Sequence, residues 1–209
     1  MLSLPRWRGR ARWGALVVGC LVAGGGIALT LLADLGVGPY DVLNSGVATR
    51  LGVTFGLASV LVSTFFVAVG WRLGAAVGPG TLVAMLGIGP AVDAWSLLLP
   101  GSVDGLATQA GLLAVGLVAI AFGLSLVIAA DLGAGPMEVV MLGLSGRGVP
   151  LRWVRTSLEI AVFTTGWALG GQVGVGTVVI ALAIGHLIAA FVPSDVGAAA
   201  GGRTGRAVP

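Results

Sequence analysis

The stretch Ala33-Asp-Leu-Gly-Val-Gly-Pro-Tyr-Asp41 returns as Ala130-Asp-Leu-Gly-Ala-Gly-Pro-Met-Glu138, 97 positions later in a chain of 209. A second block, Gly70-Trp-Arg-Leu-Gly-Ala-Ala-Val-Gly-Pro-Gly-Thr81, returns as Gly166-Trp-Ala-Leu-Gly-Gly-Gln-Val-Gly-Val-Gly-Thr177, offset by 96. Whatever unit the first half builds, the second half must build again. The expected units are residues 13–99 and 110–193, inside a single membrane domain spanning 1–209.

Composition says where that unit lives. Hydrophobic residues make up 57% of the chain and charged residues 9%. A soluble domain carries about a quarter charged residues, so this chain lacks the polar side chains to coat itself for water. Its solvent is the lipid bilayer. All eleven basic residues are arginine, concentrated at the ends (Arg6, Arg8, Arg10 and Arg12, then Arg203 and Arg206). That places the tails 1–12 and 194–209 in the cytoplasm, at the cytoplasmic membrane. No segment outside the apolar body is long enough to form a basic face for nucleic acid. Cys20 is the only cysteine. It excludes a disulfide framework and a cysteine-based metal site.

Six apolar stretches of about 17–20 residues run over Trp13–Leu32, Phe55–Leu73, Thr81–Leu99, Gly111–Ala130, Leu151–Leu169 and Gly176–Val192. Each is long enough as helix to cross a hydrocarbon core of roughly 30 Å. The first is too long for the apolar part of a leader peptide and reads as an uncleaved span. Two segments, Pro39–Arg50 and Pro136–Arg147, are shorter and more polar; twelve helical residues reach only about 18 Å. The expected fold is an all-α transmembrane bundle of six spans plus two short re-entrant or interfacial helices. Three spans per copy make the copies inverted; four would make them parallel. Counting arginines does not choose, because six-span and eight-span arrangements both put ten on one side and one on the other.

Gly38-Pro39 and Gly135-Pro136 read as helix starts, with glycine as N-cap and proline as first helical residue. Asp41 and Glu138 then occupy the third position, facing free N–H groups and the positive end of the dipole. Each acid either caps its own helix or lines a cavity where it holds a proton or a cation; the two roles are compatible. Either way the site is poor for an anion. Asp34, Gly36, Asp131 and Gly133 form the turns before these helices, with the aspartates expected to bond side chain to backbone. Gly78, Gly80 and Thr81, matched by Gly174, Gly176 and Thr177, open the third span of each unit. Gly70, Gly74 and Gly78, like Gly166, Gly170 and Gly174, are spaced for close helix packing. A phosphate loop is a poor reading, since its lysine is missing.

Differences between the copies mark division of labour. Ser59 and Ser63 align with Arg155 and Glu159, an i, i+4 pair that is cheaper to bury together than singly. His186, the only histidine, aligns with Pro90, and Asp93 aligns with Ala189. Asn44 accompanies Asp41. The candidates for substrate or coupling ion are therefore Asp41, Asn44, Asp93, Glu138, Arg155, Glu159 and His186. No hydrolase motif, metal-ligand cluster or cofactor signature is present, so neither an enzyme nor a cofactor is expected.

The run Asp34-Leu-Gly-Val-Gly-Pro-Tyr-Asp-Val-Leu-Asn-Ser-Gly46 and the turn Gly78-Pro-Gly-Thr81 resemble the YczE/YitT family of bacterial integral membrane proteins, over nearly all of residues 14–193 and closest to the YczE branch. Tyr40 stands where that family often has tryptophan. The resemblance implies the bundle fold and, through members linked to small-molecule export, a transport role. Three function classes remain: a proton- or ion-coupled secondary transporter of a small organic molecule, a substrate-binding subunit of a multi-component importer, and a non-transporting regulatory membrane protein.

Overall fold

The computed structural model describes residues 9–192, and all regular structure in it is helical. The expected tail 194–209 and most of 1–12 lie outside the described residues. In order the helices are α1 (Arg10–Ala33), α2 (Pro39–Leu51), α3 (Phe55–Arg72), α4 (Pro79–Ser96), α5 (Leu106–Ala130), α6 (Pro136–Ser145), α7 (Leu151–Ala168) and α8 (Val175–Phe191). Three of them, α1, α3 and α5, are long and apolar enough to cross a membrane. α7 carries Arg152, Arg155 and Glu159 within its length.

The centre is α1 against α5. They run antiparallel: a Cβ on Gly19 would lie 2.7 Å from the Gly123 carbonyl, and one on Gly26 would lie 2.7 Å from that of Gly116. Small residues on both helices let the backbones touch, which is how helices adhere where burial from water contributes little. α4 packs on α1 and α8 on α5. The short helices cross over: α2 lies on α7, and α6 lies on α3.

The turns cross over too. Gly176 N–H donates to the Leu35 carbonyl at 2.7 Å, and Gly80 N–H donates to that of Leu132 at 2.9 Å. Thr81 Oγ1, fully buried, donates to the Ala134 carbonyl at 2.6 Å. Each Asp-Leu-Gly-x-Gly-Pro turn therefore docks on the Gly-x-Gly-Thr turn of the other half. These cross-bonds satisfy backbone groups that the turns leave without a helical partner.

Only the first glycine of each spaced set lies within a helix. α3 ends at Arg72 and α7 at Ala168. Gly74 (φ 84°) and Gly170 (φ 87°) are left-handed turn residues, while Gly78 and Gly174 sit against the turns of the other half. The intrahelical spacing was thus coincidental, but the packing role is real. Gly70 receives the backbone of Val139 and Val140, and Gly166 receives that of Val42 and Leu43. α6 also ends two residues before the expected Arg147, and α5 starts at Leu106 rather than Gly111.

Many large apolar side chains face outward, including Phe65 at 65% exposure and Leu182 at 70%. Exposed apolar surface on this scale is a lipid-facing surface.

Candidate functional site

Both short helices start as the sequence implies. Gly38 and Gly135 are the N-caps, Pro39 and Pro136 the first helical residues, and Asp41 and Glu138 fall in the first turns. Glu138 folds back over its own helix start, so closely that a Cβ on Gly135 would overlap Oε2. Asp41 Oδ2 lies 3.5 Å from the corresponding point on Gly38. Glycine at the N-cap therefore leaves room for the carboxylate as well as freeing the turn.

The two starts share one neighbourhood. Tyr40 and Met137, the residues between proline and acid, pack on the same apolar cluster of Leu43, Val62, Phe66, Val140 and Val162. Tyr40 lies within electrostatic reach of both Asp41 and Glu138. Its hydroxyl shares a 3.1 Å hydrogen bond with Ser63 Oγ, and its ring meets Phe66 edge to face. Glu138 in turn lies within electrostatic reach of Arg155 and Glu159. Glu138 itself is exposed at the surface.

Asn44 is 1% exposed. Its Nδ2 donates to Asp41 Oδ1 at 3.3 Å. Its own Oδ1 is fully buried with no hydrogen-bond partner among the described residues. A buried amide oxygen without a donor is costly and invites one.

Arg155 and Glu159 form the expected pair, Nε to Oε1 at 2.9 Å, on a face of α7 that leaves both side chains partly exposed. A cavity of about 520 Å³ opens between α2, α3, α6 and α7, and none of Asp41, Asn44, Glu138, Arg155 or Glu159 lines it. Leu43, Val62, Phe66, Leu158 and Val162 line it, with Thr165 as its one hydroxyl.

Two candidates lie apart. Asp93 on α4 accepts the Gly56 N–H at 2.8 Å, capping the start of α3. His186 is exposed on α8, with Nδ1 3.0 Å from the Leu182 carbonyl. Among the described residues, neither is hydrogen-bonded to Asp41 or Glu138.

Asp34 and Asp131 sit at the turns, with side-chain partners outside them. Both adopt left-handed φ (52° and 49°) at the ends of α1 and α5, where aspartate is one of the few non-glycine residues tolerated. Their partners come from far along the chain. Gln172 Nε2 donates to Asp34 Oδ1 at 2.7 Å and to the Leu31 carbonyl at 3.1 Å. Arg12 donates from Nε to the Ala130 carbonyl at 2.6 Å and pairs with Asp131 at 3.4 Å. Arg147 donates to the Leu73 carbonyl and so caps α3. Sequence reasoning missed all three donors. Gln172 was detectable, since it replaces Ala76 of the first copy.

The family model described as "Family of unknown function (DUF6198)" matches residues 10–193. The chain belongs to this family. It is 28% identical to the uncharacterized membrane protein YczE of Bacillus subtilis over 192 residues, covering 88% of this chain and 87% of that one. It is 31% identical to an uncharacterized protein of Haemophilus influenzae over 198 residues, covering 90% of each. It is 25% identical to B. subtilis YyaS over 184 residues, covering 84% of this chain and 90% of that one. No solved structure matches. Family, helices and outward apolar surface together make the chain an integral membrane protein of the YczE type.

Proposed function

We propose that this protein is a small secondary transporter, not an enzyme, built from two inverted repeats that cross the membrane six times. It moves a small organic molecule, coupled to protons or a cation. The observation that carries the reading is that the starts of two short helices share one apolar cluster, which brings Asp41 and Glu138 into one neighbourhood around Tyr40. Interrupted helices with their starts at a repeat interface are a recurring way to build a transport site.

The antiparallel packing of α1 on α5 supports inversion, since these two helices correspond in the repeat. The unsatisfied Asn44 oxygen beside Asp41 supports a proton or cation as the coupling species. A carboxylate at each helix start already occupies the positive end, which disfavours an anion there. The cavity is the size of a small organic molecule and apolar, so the cargo carries an apolar body. Both termini lie in the cytoplasm.

Counterflow in proteoliposomes, with a panel of amphiphilic substrates, tests the reading. Wild type is expected to exchange at least one of them and to acidify or alkalinise the lumen with it. Transport that stayed fully proton-coupled in Asp41→Asn with Glu138→Gln would remove those acids from the mechanism.

A further inference from the structure

The two halves repeat in sequence but not in one contact. α3 packs along α4, whereas α7 and α8 barely touch. On α4, a Cβ at Gly89 would lie 2.6 Å from the Gly56 carbonyl and 3.1 Å from Ser59. At the matching position on α8, Gly185, nothing among the described residues lies within 4 Å. The α3–α4 seam is tied by Asp93 accepting the Gly56 N–H, and Thr64 Oγ1 lies 3.6 Å from Met85 Sδ across it. The matching positions, Arg152 with Ala189 and Ile160 with Ala181, make no such tie. Ile160 is 57% exposed and Ala181 is exposed.

We propose that these two seams are alternating gates, and that the structure holds the α3–α4 gate shut and the α7–α8 gate open. This rests on the inverted-repeat reading above. If the halves are the same unit, each can adopt the shape the other shows. α7 then closes on α8 with Gly185 in the role of Gly89, while α3 parts from α4 and the Asp93–Gly56 bond breaks. The open seam borders the face of α7 that carries Arg155 and Glu159, so Glu138, within electrostatic reach of both, is served from one side at a time. The exchange has a built-in bias: Asp93 ties one seam and Ala189 leaves the other untied. Closing α7 on α8 carries Arg155 toward Gly185, where Ser59 meets Gly89 in the first half. Its ion pair with Glu159 lets that charge enter the seam neutralised.

Disulfide trapping in native membranes tests this, with Cys20→Ser as background. The pair Thr64→Cys/Met85→Cys reports the closed α3–α4 seam, and Ile160→Cys/Ala181→Cys reports the matching closure of α7 on α8. Copper-phenanthroline oxidation is expected to link both pairs when each is present alone. With all four cysteines present, each disulfide excludes the other. Asp93→Ala, which makes the first seam like the second, is expected to raise the rate of 160–181 linking about tenfold, the effect of losing one hydrogen bond to a charged group. It lowers 64–85 linking in parallel. A 160–181 pair that never links, or both disulfides in one molecule, would overturn the proposal. The four-cysteine experiment decides even if Asp93→Ala fails to accumulate. Trapping needs no substrate, so exclusive linking without transport would sink the transporter reading and leave the gates standing.

Discussion

Replacing Gly166 with alanine puts a methyl group 2.5 Å from the Leu43 amide nitrogen and 2.5 Å from the Val42 carbonyl carbon. Ordinary contact begins near 3.4 Å, and the obstacles are backbone atoms, which have no rotamer to change. α2 must therefore move off α7 by close to 1 Å, loosening Gly46 against Gly166 and Val42 against Gly171 as well. Overpacking of this kind costs about 1–3 kcal/mol, and a backbone obstacle puts it near the upper end. Alanine returns up to about 1 kcal/mol through helix propensity. The expected net loss is about 2 kcal/mol, or roughly 4–8 °C in Tm for a chain of this size. Gly185→Ala is the control: with nothing among the described residues within 4 Å it keeps only the propensity gain and should raise Tm by a few degrees. Thermal unfolding of the detergent-solubilised protein measures both. If Gly166→Ala proves as stable as wild type, α2 does not lie on α7 in this way, and the crossed arrangement of the short helices is wrong.

Thr81→Val keeps shape but removes the hydroxyl that donates to the Ala134 carbonyl, and should cost about 1–3 kcal/mol in SDS-titrated unfolding, with Thr81→Ser recovering most of it. Gln172→Leu strips its donor from the Leu31 carbonyl and from Asp34, and should cost about 1–2 kcal/mol by the same measurement. By contrast, Arg155→Met with Glu159→Leu should change stability by less than about 1 kcal/mol, because both side chains are partly exposed. Its effect should show instead in counterflow rates.

Local chemistry was legible in the sequence. The Gly-Pro-x-acid starts, the shortness of α2 and α6, and the Arg155–Glu159 pair all follow from propensity, length and spacing. What was not legible depends on distant partners. Asp34 and Asp131 read as self-contained turn closers, yet their partners are Gln172 and Arg12, more than a hundred residues away. The spaced glycines read as one stripe, but α3 and α7 stop after the first; Gly74 and Gly170 are left-handed turn residues, and only Gly78 and Gly174 pack against turns of the opposite half. Asp93 looked like a buried functional acid, and its visible bond is to the start of α3. Nothing in a one-dimensional pattern announces that α2 belongs to α7 and α6 to α3.

Inversion of the two halves is the claim on which site and gates both depend. It is tested most directly by labelling Leu51→Cys and Val149→Cys, one after each short helix, with a membrane-impermeant maleimide in a Cys20→Ser background. Both positions are exposed. Six crossings put them on opposite faces. One should then react in intact cells, and the other only after permeabilisation. If both react from the same side, the short helices cross the membrane, the halves are parallel, and the account fails.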